Sequence, residues 1–158
     1  MNYYIIIPAY NEANHIAFTL RSIVYQFVKP KKVIVVNDNS SDTTEIEVNK
    51  FIKKHKWISI INKTSDAIHL PGSKVIQAFQ TGLETLDDDY DFIVKADADL
   101  IFPANYFETI IKHFQSDERI GMVGGFAYIE KNGSWILENL TDKDHIRGAF
   151  KAYRKETF

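Results

Sequence analysis

Short apolar runs alternate with amphipathic stretches along most of the chain. Tyr3-Tyr4-Ile5-Ile6-Ile7 is a continuous apolar run, the pattern of a strand covered on both faces, and Pro8 is expected to end it. Ala9-Tyr10-Asn11-Glu12 reads as a turn. Ile16, Leu20, Ile23, Val24 and Phe27 then recur at three- and four-residue spacing, which predicts a helix with one apolar stripe, stopped near Pro30. Val33-Ile34-Val35-Val36 predicts a second buried strand. It is followed by Asn37-Asp38-Asn39-Ser40-Ser41-Asp42, a turn-forming cluster whose Ser and Asp side chains suit a helix N-cap. A less regular helix runs through Ile46, Phe51 and Ile52. Trp57 to Ile61 predicts a third strand, the polar stretch from Asn62 to Pro71 a loop reaching Gly72-Ser73-Lys74, and Val75 to Leu86 another helix.

The acidic run Asp87-Asp88-Asp89-Tyr90-Asp91 reads as a solvated loop rather than a metal site. Phe92-Ile93-Val94 is a fourth buried strand, and Tyr106, Phe107, Ile110, Ile111 and Phe114 stripe a fourth helix. Met122 to Ile129 predicts a fifth strand broken early by Gly124-Gly125. Lys131-Asn132-Gly133-Ser134 then predicts a hairpin turn into Trp135-Ile136-Leu137. The stretch from His145 to Phe158 is basic and aromatic. Strand and helix alternating in this way argue for an α/β fold built on a parallel sheet with right-handed crossovers. In that topology the turns carrying Tyr10-Asn11-Glu12, Asp38 and Asp97/Asp99 all follow strands, so they emerge on one edge of the sheet and face one crevice.

At 158 residues the chain reads as one domain, long enough to bury roughly 68–70% of its unfolded surface. A net charge of -2 gives no general attraction to nucleic acid or to anionic membranes, so partners must be argued from local sites. The absence of cysteine excludes disulfides and thiolate metal ligation and fits a reducing compartment. The start Met1-Asn2-Tyr3-Tyr4 lacks the basic region of a signal peptide, and no apolar run approaches the ~18 residues a membrane span needs. Asn-x-Ser/Thr sequons begin at Asn39, Asn62, Asn132 and Asn139, and without a secretion signal they are read as incidental.

The chemistry concentrates at Lys95-Ala96-Asp97-Ala98-Asp99. Two carboxylates one residue apart, on backbone that has just left a buried strand, can converge on a hard divalent cation and leave coordination positions for substrate phosphates. An Asp-x-Asp triplet alone is also what a solvated turn looks like, so its meaning depends on the loops around it.

Taken together, Ile5-Ile6-Ile7-Pro8-Ala9-Tyr10-Asn11-Glu12, Val35-Val36-Asn37-Asp38-Asn39-Ser40-Ser41-Asp42-Thr43-Thr44 and Asp97-Ala98-Asp99 resemble, in order and spacing, the family 2 glycosyltransferases with the GT-A fold. The resemblance covers essentially the whole chain, including His145-Ile146-Arg147-Gly148 and Tyr153-Arg154-Lys155-Glu156. It implies a Rossmann-like, mostly parallel sheet flanked by helices as an α/β/α sandwich. It also implies transfer of a sugar from a UDP- or GDP-linked donor to a saccharide, lipid-linked or other hydroxyl acceptor, with inversion, as in cell-surface polysaccharide synthesis. By that similarity Pro8, Ala9, Tyr10, Asn11, Glu12 and Asp38 would hold the nucleoside, Tyr10 near the base ring and Asp38 accepting a hydrogen bond from it. Asp97 would face the ribose or the ion, and Asp99 would ligate Mg2+ or Mn2+ bridging the diphosphate. Lys74, beside Gly72 at a helix start, could add a phosphate contact, and His145 and Arg147 would face acceptor or diphosphate. The implied location is cytoplasmic, with room for a longer protein to associate with the inner face of a membrane.

Two departures from the family pattern stand out. The strand-two motif commonly carries two adjacent aspartates, and here the first is Asn37. The family's general base is a carboxylate on a segment after the acceptor-side stretch, and no such residue is identified; Glu138, Asp142 and Asp144 precede His145 and read as surface charge. The expectation is a GT-A domain over 1–158 that is truncated before the base. The alternatives are a nucleotide-sugar-binding fragment without turnover, and a nucleotidyltransferase, which usually has a Gly-rich basic loop where this chain has Pro8-Ala9-Tyr10-Asn11-Glu12. A receiver module needs an acidic pair after its first strand, which is not evident.

Overall fold

The computed structural model describes residues 1–64, 73–138 and 145–157. Its elements run β1 (Tyr3–Ala9), α1 (Ile16–Val24), β2 (Lys32–Asp38), α2 (Thr44–Ile52), β3 (Ile58–Lys63), α3 (Ser73–Leu83), β4 (Phe92–Ala96), α4 (Tyr106–Ser116), β5 (Met122–Gly124), β6 (Tyr128–Lys131), β7 (Ser134–Leu137) and β8 (Phe150–Arg154). Six strands form one sheet in the order β3-β2-β1-β4-β8-β5, with β1 to β4 mutually parallel and β8 antiparallel to both β4 and β5. No helix among the described residues is long and apolar enough to cross a membrane.

The continuous apolar runs are explained by burial on both faces, since successive side chains of a strand point to opposite sides. Tyr3, Ile5 and Ile7 of β1 pack with α1, α2 and α4 through Ile16, Leu20, Ile23, Val48, Phe107 and Phe114. Ile6, with Ile34, Val36 and Ile93, packs on the other face against Ala78 of α3. Helices therefore cover both sides, as the α/β/α expectation has it. The chain steps from β1 outward to β3 with α1 and α2 on one face, then returns to β4, on the far side of β1, with α3 on the other. Reversing direction while changing face keeps every crossover right-handed. Stacked Tyr3 and Phe92 rings 5.0 Å apart, with Phe114 5.0 Å from Phe92, fasten β1, β4 and α4 together. Each such pair adds about 0.5–1.5 kcal/mol beyond its buried area.

Several boundaries differ from the sequence expectations. Pro8 lies inside β1 opposite Val36, but the β1–β4 ladder has already ended at Ile6↔Lys95, so a missing N–H there is tolerated. Phe27 is exposed beyond the end of α1, and its N–H donates to the Ala104 carbonyl. The third strand is shifted, and α3 ends at Leu83. The predicted fifth strand stops at Gly124. There the glycine pair brings the backbone against Ile146 and, 2.8 Å from where a Cβ on Gly125 would stand, against Tyr106, and the chain leaves the sheet. The hairpin forms as expected, with Asn132 and Gly133 both at positive φ in the turn between β6 and β7.

The tail holds the largest surprise, the sheet strand β8. Phe150 and Ala152 point into the core. Arg154 donates to the carbonyls of Phe114, Asp117 and Ile120, closing the C-terminal end of α4. The acidic run is more than a solvated loop. Asp87 accepts from Tyr4 and from Lys32 at 2.9 Å, and Asp91 accepts from the Asn2 N–H at 2.6 Å. These bonds pin the amino-terminal edge of the sheet. The hydrogen bonds from Tyr4 and Lys32 hold the Asp87 carboxyl well below the usual carboxylate range.

Candidate functional site at the strand carboxyl edge

β1 and β2 stay paired through Ala9↔Asn37, while β1 and β4 part after Ile6↔Lys95. The strands thus open a crevice at their carboxyl ends where the strand order reverses, the position at which open α/β sheets take ligands. A separate surface depression of about 480 Å3, lined by Gly121, Met122, Tyr153 and Thr157, lies by the amino end of β5 and brings none of the candidate residues together.

The turns after β1 and β2 are laced to each other. Asn11 and Asn39 adopt positive φ, which asparagine tolerates better than other side-chain-bearing residues. The Asn11 N–H donates to Ser40 Oγ at 2.9 Å and its Oδ1 accepts from the Ser41 N–H at 2.8 Å. The Glu12 N–H donates to Thr44 Oγ1 at 2.8 Å, and the Ala13 N–H to Asp42 Oδ2 at 3.0 Å. Asp42 Oδ1 also accepts from the Thr44 N–H and hydroxyl. Desolvation opposes ionisation of Asp42, yet these hydrogen bonds hold its carboxyl below its ordinary value. The polar residues of Ser40 to Thr44 thus mainly fix the shape of the β1 turn. Thr43 occupies the N-cap of α2 without a side-chain cap, and Asp42 satisfies the first-turn N–H instead.

Asp38 behaves differently. It closes β2, is only 5% exposed, and its Oδ1 has no hydrogen-bond partner among the described residues. A buried carboxylate oxygen left unpaired costs free energy that a ligand donor would recover. Strand periodicity puts Asp38 on the face of Ile34 and Val36, which α3 covers, and Ile93 and Lys95 of β4 share that face. On the opposite face Asn37 donates through Nδ2 to Asn62 Oδ1 at 2.9 Å, and Asn62 donates to Glu45 at 3.0 Å. An amide at position 37 matches that chain of donors. Tyr10 is 58% exposed at the crevice rim, whereas the Ala9 side chain packs in the core and leaves only its backbone available.

Asp97 and Asp99 follow β4. The Asp97 N–H donates to the Ala149 carbonyl at 2.8 Å, and the Ala98 carbonyl accepts from Thr19 of α1 at 2.6 Å, so the loop is held from both sides. The Asp97 carboxylate pairs with the Lys95 ammonium, which also donates to the Gly148 carbonyl at 2.9 Å. Asp99 is exposed. Among the described residues no three His, Cys, Asp or Glu side chains cluster as a metal cage.

Lys74 falls in the first turn of α3, which starts from the same edge as Asp38; its neighbour Gly72 lies outside the described residues. His145 is exposed, and Arg147 forms an ion pair with Glu138. That pairing makes Glu138 a structural partner rather than loose surface charge, while Asp142 and Asp144 lie outside the described residues. The cluster read as suited to helix capping does supply a capping acceptor through Asp42, whereas sequence reading missed Thr19, Thr44 and Lys95 as residues that shape this edge. Only Lys95 carried a readable signal: it stands two positions before Asp97 at the end of β4, near enough along the chain to pair with it.

A glycosyl transferase family 2 profile matches residues 4–158, and the chain belongs to that family. It is 34% identical over 125 residues to the probable glycosyltransferase YdaM of Bacillus subtilis, covering 77% of this chain and 28% of YdaM. It is 28% identical over 132 residues to the poly-beta-1,6-N-acetyl-D-glucosamine synthase of Staphylococcus aureus, covering 84% of this chain and 30% of the synthase. The chain thus spans about a third or less of these relatives' length. Among solved structures it is similar to the mannosyltransferase PcManGT from Pyrobaculum calidifontis in complex with GDP-Man and Mn2+, with TM-score 0.73 and 20% identity over 98% of this chain and 45% of that one. It is also similar to S. aureus TarS 1-349 in complex with UDP-GlcNAc, with TM-score 0.59 and 21% identity over 73% of this chain and 32% of that one. These likenesses show the same GT-A fold.

Proposed function

We propose that the chain forms the donor-binding part of a metal-dependent, inverting glycosyltransferase that moves a sugar from a UDP- or GDP-linked donor to an acceptor hydroxyl. The observation that carries this reading is the buried Asp38 oxygen, unpartnered among the described residues, beside the crevice at the reversal of strand order. Support comes from the family match and from the nucleotide-sugars held by the PcManGT and TarS structures. Asp38 accepts a ring N–H of the base, and Tyr10 covers the ring from the exposed rim. The backbone of Pro8, Ala9, Asn11 and Glu12, fixed by the lacing to Ser40 and Thr44, walls the nucleoside. Lys74 contacts phosphate from the α3 start.

Asp97 and Asp99 hold Mg2+ or Mn2+, which supplies Lewis-acid stabilisation of the charge on a departing nucleoside diphosphate. His145 and Arg147 lie on the acceptor or diphosphate side. An attacking hydroxyl must lose its proton, a contribution of about 10²–10⁴-fold, and Glu138 is engaged by Arg147 rather than free for that role. This pairing favours a second reading, donor binding by this stretch without turnover.

The test is calorimetric titration with UDP, GDP and CDP in the presence of Mn2+. One of the first two binds at a single site; failure of all three removes the donor-site reading.

A further inference from the structure

Lys95 is the residue at this edge whose position the donor reading alone leaves unexplained. Its side chain leaves β4 on the α3 face, is 14% exposed, and ends between the Asp97 carboxylate and the Gly148 carbonyl. The backbone brings the pair together at the end of β4, where Asp97, just past the strand, donates its N–H to the Ala149 carbonyl. Directly across the antiparallel ladder stands Lys151, on that same face. Like charges facing each other on neighbouring strands are unfavourable, and the Asp97 carboxylate supplies the opposite charge to the Lys95 member of that pair.

We propose that Lys95 is a positioning residue that acts as a resident counter-cation. Its ammonium occupies Asp97 when no donor is bound, so that free divalent metal is kept out and metal and diphosphate enter together. The inference rests on the donor-site reading and adds regulation of that same site. A bare divalent ion at Asp97 would displace the ammonium and add two charges beside Lys95 and Lys151. A nucleoside diphosphate reverses that balance, since its negative charge serves the ion and the displaced ammonium alike. Metal and nucleotide binding are therefore strongly and reciprocally coupled. The contact to Gly148, next to the Asp97–Ala149 hydrogen bond, makes the same exchange adjust the segment leading into β8.

The experiment measures Mn2+ binding from the electron paramagnetic resonance signal of the free ion, with and without UDP or GDP. It uses the parent chain, Lys95→Met, Lys95→Gln and Lys95→Arg, with thermal melts confirming folding. Lys95→Gln removes the charge while keeping a donor for the Gly148 carbonyl, so it carries the test if Lys95→Met does not fold. The neutral variants bind Mn2+ alone about tenfold or more tighter than the parent, and the factor by which nucleotide improves Mn2+ binding shrinks correspondingly, within the usual 5–150-fold range of coupling. Lys95→Arg keeps the parent's behaviour. Unchanged affinity for Mn2+ alone in the neutral variants, while parent and variants still form the ternary complex with nucleotide, overturns the proposal and leaves the donor site standing. Absence of a ternary complex in the parent overturns both.

Discussion

Replacing Asp38 by alanine separates ligand binding from fold stability in an unusual direction. The carboxylate is almost fully buried and one of its oxygens is unpaired among the described residues, a state that costs about 1–3 kcal/mol of desolvation at this position. Removing it relieves that cost and opens only a small void at the crevice. The variant is expected to be as stable as the parent or more so, and each kcal/mol gained raises Tm by about 2–4 °C for a chain of this size. Nucleotide binding moves the other way. A hydrogen bond to a charged acceptor contributes about 1.5–3 kcal/mol, so the affinity for the preferred nucleoside diphosphate falls by about 10- to 150-fold. Differential scanning fluorimetry and calorimetric titration on the same preparation read both quantities. A Tm lowered by more than a few degrees together with unchanged nucleotide affinity would refute the reasoning, because Asp38 would then be a structural residue with a partner in the fold.

Acid should loosen the molecule in a defined window. Asp42 and Asp87 have folded pKa values below their unfolded value of about 3.9, so the stability they contribute is complete above that pH and disappears as pH falls through the folded values. Tm is expected to fall steeply below about pH 4, with Asp42→Asn and Asp87→Asn each flattening the slope; parallel slopes in parent and variants would count against these assignments. Arg154→Met removes the donor to three carbonyls at the end of α4 and before β5. It is expected to cost about 2 kcal/mol, or about 4–8 °C in Tm, and a change within 1 °C would contradict the capping role.

The parallel half of the sheet was legible because β1, β2 and β4 are buried on both faces and their sequences show it as unbroken apolar runs. The α1 stripe of Ile16, Leu20 and Ile23 was equally plain, and all three residues are fully buried. β8 was missed because only Phe150 and Ala152 face inward in a stretch otherwise read as basic and aromatic. Pro8 misplaced a boundary because its effect depends on which neighbouring strand has already parted from β1. At the candidate site, the order of three loops in one topology was readable, and so was the acidic pair. The lacing of Asn11 to Ser40 and Ser41 joins residues 29 and 30 positions apart, which no local pattern reports. That Asp38 Oδ1 finds no partner among the described residues depends on what the neighbouring elements offer it, a property of packing rather than of sequence.

The central claim is that two carboxylates after β4 and one at the end of β2 act on a single ligand, through a cation that grips its diphosphate. Titrating the parent and Asp99→Ala with UDP and GDP, each with and without Mn2+, tests it most directly. One nucleoside diphosphate should bind the parent only with Mn2+ present, and Asp99→Ala should abolish that binding while its Tm stays unchanged. Equal, metal-independent binding by parent and variant would contradict the account.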